Sequence, residues 1–190
     1  MKRDRTGLVL AGGRGARMGG VDKGLVEWRG RPLVAHAIER LQPQIATLLI
    51  SANRNHDRYA AFGAPVIADA SADFDGPLAG MLAGLSRCET SWLVTVPCDL
   101  VHAPANLANE LQRWAAALRV PAAYAAFDDE PSFVCALLHR DLRDSLADSL
   151  ASGVRSVSRW LDTHGACAVP FALPPGARAN LNTAGDLAAC

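Results

Sequence analysis

Short apolar runs alternate along the chain with stretches of helical hydrophobic spacing, and that alternation constrains the fold more than any other feature. The runs are Thr6–Ala11, Ala46–Ser51, Pro65–Ala68, Trp92–Val96, Ala122–Phe127 and Ser132–Leu138. Between them, Pro32–Leu41 carries Leu33, Val34, Ala37, Ile38 and Leu41 on one helical face. The polar segment Asn53–Arg58 leads into a short helix, Pro77–Leu85 is a helix rich in Gly and Ala, and Pro104–Leu118 is a long helix. Leu142–Leu150 and Val154–Leu161 read as further helices, and a last short strand and helix close the chain. Strands joined through helices imply crossover connections and parallel pairing. Runs that stay apolar at every position, such as Leu93-Val94-Thr95-Val96, fit strands covered on both faces. The expected architecture is α/β: a Rossmann-like three-layer fold with a mostly parallel sheet and helices on both faces.

Its 190 residues suit a single domain, half of them are apolar, and formal net charge is zero. A neutral chain of this composition argues against a nucleic-acid surface and gives no reason to invoke a membrane. Leu8–Ala11, the apolar run behind the charged Met1–Arg5, is too short for a signal peptide or a spanning helix, so the cytoplasm is the expected location. Cys88, Cys98, Cys135, Cys167 and Cys190 are scattered, odd in number and without a C-x-x-C pair. They read as free thiols in a reducing compartment, mostly serving as small buried hydrophobes.

In a parallel α/β sheet, ligands gather outside the carboxyl ends of the strands, so residues just past each strand carry the functional argument. After the first strand come five glycines in nine positions, Gly12, Gly13, Gly15, Gly19 and Gly20. Such a density costs conformational entropy and brings access, because backbone N–H groups can close around phosphate oxygens. Arg14, Arg17 and Lys23 add three positive charges, which suits a triphosphate. Only Lys2 and Lys23 are lysine among 19 basic residues. A compact ammonium serves phosphate as a point charge, whereas guanidinium suits planar bidentate contacts, so the choice of lysine at position 23 needs a reason. The spacing fits neither a Walker A loop, since Gly24 follows Lys23 where a hydroxyl is required, nor a dinucleotide fingerprint.

The fourth strand stops at Pro97-Cys98-Asp99. A carboxylate at that edge is a candidate ligand for Mg²⁺ bound to a triphosphate. It lies several residues too early to cap a helix starting near Pro104. Cys98, at the strand end with no histidine of fixed geometry beside it, reads as packing rather than as a nucleophile. The five histidines have no ligand spacing; His102, three residues past Asp99, is the one placed to matter.

These segments together resemble bacterial molybdenum cofactor guanylyltransferases, nearly end to end. Leu10-Ala11-Gly12-Gly13 with Arg17-Met18-Gly19-Gly20-Val21-Asp22-Lys23-Gly24-Leu25 resembles the opening signature of that family, and Asp75-Gly76-Pro77-Leu78-Ala79-Gly80-Met81 its central one. Pro97-Cys98-Asp99 resembles its metal-binding segment, and Asn180-Leu181-Asn182-Thr183 with Asp186-Leu187 its C-terminal motif. The resemblance implies GMP transfer from Mg-GTP to molybdopterin. It implies nucleotide contacts from Leu10, Ala11, Gly12, Gly13, Lys23, Asn53, Asp69 and Asp99, with Asp99 also holding Mg²⁺ as the cofactor. Arg155, Asn180 and Asn182 fall on the acceptor side by the same resemblance. Residues 1–100 then form a nucleotide-binding half and 101–190 an acceptor-binding half. Proteins that hand over or accept the cofactor are implied as partners. Ser51-Ala52-Asn53 departs from the Asn-Ala-Asn that relatives often carry, which leaves open whether Ser51 or Asn53 meets the nucleotide. The cytidylyltransferase of the same cofactor resembles this family but carries alanine where Gly12 stands, which favours a purine here.

With a phosphate as nucleophile no general base is needed; Arg17, Lys23 and Asp99 are the catalytic expectation, acting by charge neutralisation and positioning. Two other classes stay open from the residues alone: a sugar-phosphate nucleotidyltransferase, and a regulatory domain that binds GTP without turnover.

Overall fold

The computed structural model describes residues 4–11, 21–69, 76–174 and 180–181. Among the described residues, nine strands and six α-helices follow in the order β1 (Arg5–Leu10), β2 (Glu27–Trp28), β3 (Arg31–Pro32), α1 (Leu33–Leu41), β4 (Thr47–Ser51), α2 (His56–Ala60), β5 (Val66–Ile67) and α3 (Pro77–Arg87). Then come β6 (Trp92–Pro97), α4 (Leu107–Leu118), β7 (Ala122–Phe127), β8 (Glu130–His139), α5 (Arg143–Ala151), α6 (Val157–Thr163) and β9 (Cys167–Phe171). Seven strands form one sheet in the spatial order β5-β4-β1-β6-β8-β7-β9, and β2 with β3 makes a separate ribbon.

β1 lies between β4 and β6 and pairs parallel to both, with Thr6 opposite Thr47 on one side and Leu93 on the other. From β1 the chain winds outward through β4 to β5, then returns across β1 to β6. Strand order therefore reverses beside β1, which is where such sheets open a ligand crevice. The sheet is mostly parallel, as the strand–helix alternation implies, but β8 runs antiparallel to both β6 and β7. β7 and β8 join through Asp128 (φ 48°) and Asp129 (φ 69°), a two-residue turn with both φ positive. That geometry matches the twist of the flanking strands, and aspartate tolerates it better than most residues. The two β strands are legible in the sequence, but Asp-Asp hides the hairpin that the commoner Asn-Gly would have advertised.

Alternation along β1 builds both layers at once. Val9 faces α1 and α4, packing with Val34, Ala37, Ile38, Leu41, Leu107, Ala108 and Leu111. Leu8 faces the opposite layer, with Leu78, Met81 and Leu85 of α3, Leu146 of α5, and Trp160 and Leu161 of α6. Each large apolar side chain fully buried this way contributes about 1.5–3 kcal/mol. Helix starts move by a few residues from the sequence expectation where capping wins. α4 begins at Leu107 because residues 104–106 are used in a turn, with Leu107 N–H donating to the Pro104 carbonyl at 3.1 Å. α6 begins at Val157, capped by the Ser156 hydroxyl, which accepts from Arg159 N–H at 3.3 Å.

At the amino end of β1, far from the crevice edge, Arg5 is fully buried. Its guanidinium donates to Gln112 Oε1 at 2.8 Å, Asn109 Oδ1 at 2.6 Å and the Gln44 carbonyl at 3.2 Å, tying the first strand to α4. The described cysteines are free thiols, with Cys88, Cys98 and Cys135 buried and Cys167 partly so; Cys190 lies outside the described residues. Among the described residues no helix is long and apolar enough to cross a membrane.

Candidate active site at the carboxyl edge of the sheet

β1, β4, β5 and β6 end at one edge, and backbone pairing carries the ladder just beyond them. Ala11 N–H donates to the Ser51 carbonyl at 2.8 Å, Ala52 N–H to Ile67 at 2.9 Å and Cys98 N–H to Leu10 at 3.0 Å. Rigid backbone thus presents Leu10, Ala11, Asn53, Asp69 and Asp99 along a single line. Gly12, Gly13 and Arg17, which carry much of the expected phosphate contact, lie outside the described residues, as does Asn182.

Lys23 reaches this line from a short 3₁₀ turn, residues Lys23–Leu25. Its Nζ donates to Asp99 Oδ2 at 2.5 Å, with Lys23 partly exposed and Asp99 only 8% exposed at the side chain. Sequence reasoning gives the two residues separate tasks, one on phosphate and one on metal. In the structure they form one ion pair, so each holds the other's charge at the crevice. Such a pair is held mainly by mutual compensation of buried charge.

Asn53 and Asp69 are locked together across the ends of β4 and β5. Asn53 Nδ2 donates to Asp69 Oδ2 at 2.8 Å, and Asp69 N–H donates to Asn53 Oδ1 at 2.9 Å. The Asn53 carboxamide therefore orients the Asp69 carboxylate. α3 crosses directly over this pair at Gly80, where a Cβ would stand 2.6 Å from Leu10 Cδ2 and 2.8 Å from Ser51 Oγ. The central glycine is thus required by close approach of helix to sheet edge.

A third carboxylate, Asp22, is one that the sequence does not mark as a site residue. Asp22 is buried, and its Oδ1 accepts from the Tyr59 hydroxyl at 2.5 Å while Oδ2 accepts from Asn55 Nδ2 at 2.8 Å. Arg54 Nε stands 3.7 Å from the same Oδ2. Tyr59 is fully buried, and burial first, then the Asp22 hydrogen bond, push its phenol far above the ordinary range. It is a permanent donor at any physiological pH. The signal for Asp22 was its place beside Lys23; that for Tyr59 is absent, because 37 residues separate it from Asp22. Burial, with the Asp99 charge second, likewise holds the Cys98 thiol protonated, which supports packing over nucleophilic duty.

Asp99 does not cap α4, whose N-cap is Asn106. Its carbonyl accepts instead from Leu181 N–H at 3.3 Å, which brings Asn180 and Leu181 beside the site. Leu181 packs with Trp28, Leu33 and Val101, and the His36 and His102 rings stand edge-on to Trp28 at 4.9 and 5.7 Å. His102 is a packing partner of Trp28 there. Beside Leu181, Asn180 has a buried Oδ1 with no hydrogen-bond partner among the described residues. Arg155, the other described residue expected on the acceptor side, donates to the Leu150 and Val154 carbonyls at 2.8 and 3.1 Å, capping the end of α5. A cleft of about 670 Å³ between α3 and α5, lined by Ala68, Ala79, Leu82, Leu150 and Ala151 among others, opens beside the β5 end but includes neither Lys23 nor Asp99.

Among the described residues no cluster of three or more His, Cys, Asp or Glu side chains converges. Among the described residues Asp99 thus has no companion ligands of the kind that cage a transition metal. One hard carboxylate at a crevice edge does fit Mg²⁺, which keeps several waters and takes its other ligands from substrate phosphate.

A doubly wound sheet with a lysine and a carboxylate paired past β1 and β6, in a chain whose sequence places five glycines just after β1, fits a nucleotidyltransferase. The chain belongs to the family of the MobA-like NTP transferase domain, whose model matches residues 7–167. It is 46% identical over 197 residues to the molybdenum cofactor guanylyltransferase of Acidovorax sp. (strain JS42), covering 97% of this chain and 93% of that one. The same-named protein of Serratia proteamaculans (strain 568) is 45% identical over 186 residues, covering 98% and 93%. Among solved structures, molybdopterin-guanine dinucleotide biosynthesis protein A from Archaeoglobus fulgidus superposes with a TM-score of 0.74 at 20% identity, covering 96% of this chain and 95% of that one. CMP:2-keto-3-deoxy-manno-octonic acid synthetase, solved with CTP, superposes at 0.73 and 14% identity over 99% and 96% of the two chains. These two likenesses speak for the fold.

Proposed function

We propose that this nucleotidyltransferase transfers GMP from Mg-GTP to molybdopterin in the cytoplasm, releasing pyrophosphate. The observation that carries the reading is the Lys23–Asp99 pair at the strand-order reversal, within a chain whose relatives at 45–46% identity bear the guanylyltransferase name.

In the reaction an oxygen of the acceptor's terminal phosphate attacks the α-phosphorus of GTP in line. A new P–O bond forms, the bond from the α-phosphorus to the bridging oxygen breaks, and pyrophosphate departs with the electron pair. Asp99 would hold Mg²⁺, and the ion when bound would supply charge neutralisation and polarisation at phosphate oxygens. Lys23 then turns its ammonium from Asp99 to the β/γ-phosphates, a transfer its flexible stem permits. Arg17 and the amides of Gly12 and Gly13 join it in stabilising charge on the leaving group. Leu10, Ala11, Asn53 and Asp69 bound the nucleotide, Asn53 acting by orienting Asp69. Asn180, Asn182 and Arg155 are assigned to the acceptor side by the family resemblance, and the Leu181 N–H bond to the Asp99 carbonyl, which sets Asn180 beside the site, supports this for Asn180. On this division residues 1–100 hold nucleotide and 101–190 hold acceptor within one domain.

The reading is tested by supplying GTP, CTP or ATP with Mg²⁺ and molybdopterin and measuring pyrophosphate and the dinucleotide product. GTP alone should support turnover. Turnover with a sugar phosphate in place of molybdopterin, or GTP binding with no pyrophosphate in the presence of acceptor, would sink it.

A further inference from the structure

We infer that Tyr59 is a positioning residue for Lys23, acting through Asp22; the inference rests on the assignment of Lys23 to the triphosphate. Asp22 adjoins Lys23 in sequence and is the nearest carboxylate to it along the chain. Left unengaged, it would compete with phosphate for the lysine and repel the incoming anion. The fold prevents this by spending both Asp22 oxygens elsewhere, on the Tyr59 hydroxyl and the Asn55 carboxamide, with Arg54 beside them.

The same bonds fix where Lys23 starts. Leu25 N–H donates to the Asp22 carbonyl at 3.0 Å and Val26 N–H to the Lys23 carbonyl at 3.2 Å, so residues 22–26 form one tight unit. Tyr59 clamps that unit from the α2 side. Its ring and hydroxyl lie so close to Gly24 that a Cβ there would stand 2.4 Å from the phenol oxygen, and 3.2 Å from the Ala11 methyl on the β1 end. Carboxylate, hydroxyl and glycine thus interlock the lysine turn with the sheet edge. The Tyr59 ring lies on α2 and reaches the site from behind, so it touches neither substrate nor metal on this reading.

The test is a double-mutant cycle on turnover with GTP, Mg²⁺ and molybdopterin. Tyr59→Phe keeps the ring and removes the hydroxyl alone. It should lower kcat on the order of ten- to a hundredfold, the cost of a slightly misplaced catalytic group, while KM for molybdopterin stays within about twofold. Lys23→Ala should lower kcat by about 10²-fold. In the Lys23→Ala background Tyr59→Phe should add nothing, because its effect runs through the lysine. Asn55→Gly keeps the left-handed backbone at that position (φ 54°) and removes the other donor to Asp22; it should lower kcat in the same direction and also add nothing without Lys23. Wild-type kcat in Tyr59→Phe and Asn55→Gly, or losses that multiply with that of Lys23→Ala, overturn the inference and leave the function standing. Wild-type kcat in Lys23→Ala overturns the assignment of Lys23 itself. Should Tyr59→Phe not fold, Asn55→Gly decides alone.

Discussion

Alanine at position 24 should damage this protein far beyond what one methyl group suggests. Gly24 does not occupy the left-handed region, so its backbone tolerates a side chain; the obstacle is space. The added carbon would stand 2.4 Å from the Tyr59 hydroxyl, about 1 Å inside ordinary contact, and 3.2 Å from the Ala11 methyl. Tyr59 cannot retreat, being fully buried and bonded to Asp22 at 2.5 Å. Either the hydroxyl leaves a buried carboxylate, which costs about 1.5–3 kcal/mol, or the backbone shifts, which costs about 1–3 kcal/mol. A net loss of about 1–3 kcal/mol follows, or about 2–12 °C in Tm for a chain of this length. Calorimetry or a thermal melt reads it directly. Because the offending atom is the phenol oxygen, Tyr59→Phe in the Gly24→Ala background should recover stability, so that the double variant is more stable than the two single losses summed. A Gly24→Ala protein with wild-type Tm, or strictly additive losses in the double variant, would refute the interlock.

Two further outcomes follow from groups away from the crevice. Burial lowers the proton affinity of His102, with Arg40, Arg29 and His36 adding to it, and burial alone does so for His164. Their neutral forms are favoured in the folded state, so their stabilisation is present above the unfolded value of about 6.5 and lost as pH falls through the lowered folded values; a His102→Gln/His164→Gln variant should show a flatter decline in Tm between pH 7 and pH 5. Arg5→Met should destabilise by about 2–4 kcal/mol by leaving the Gln44, Asn109 and Gln112 acceptors unpaired, yet kcat of the folded protein should be unchanged, since the site lies at the other end of β1.

The sheet and the site were legible in the sequence to different depths, for physical reasons. Strands buried on both faces, such as Trp92–Val96, betray themselves by unbroken apolar runs, and helices such as α1 by a single apolar stripe. The direction of β8 was not legible, because antiparallel return depends on a two-residue Asp128-Asp129 turn that carries no glycine. The β2–β3 ribbon, turned at Arg29 (φ 51°) and Gly30 (φ 73°), is two residues a side and too short for periodicity to register. At the site, Lys23 stood out as an isolated lysine and Asp99 as a carboxylate stopping a buried strand, and both arrive at one point. That they pair, and that Asp22 is held by Tyr59, are long-range facts which no local pattern encodes. Arg155 is assigned to the acceptor side by family resemblance alone, and its contacts to the Leu150 carbonyl of α5 and to the Val154 carbonyl are as illegible in the sequence as the Asp22–Tyr59 bond.

The most direct test of the account compares thermal protection by GTP, with and without Mg²⁺, in the wild-type chain and in Asp99→Asn. Ligand at a hundredfold over its dissociation constant stabilises the folded state by about 2.7 kcal/mol. The wild type should gain protection that depends on Mg²⁺, and Asp99→Asn should fold normally but lose the Mg²⁺-dependent part. Equal Mg²⁺-dependent protection of both proteins would place the metal elsewhere and contradict the site.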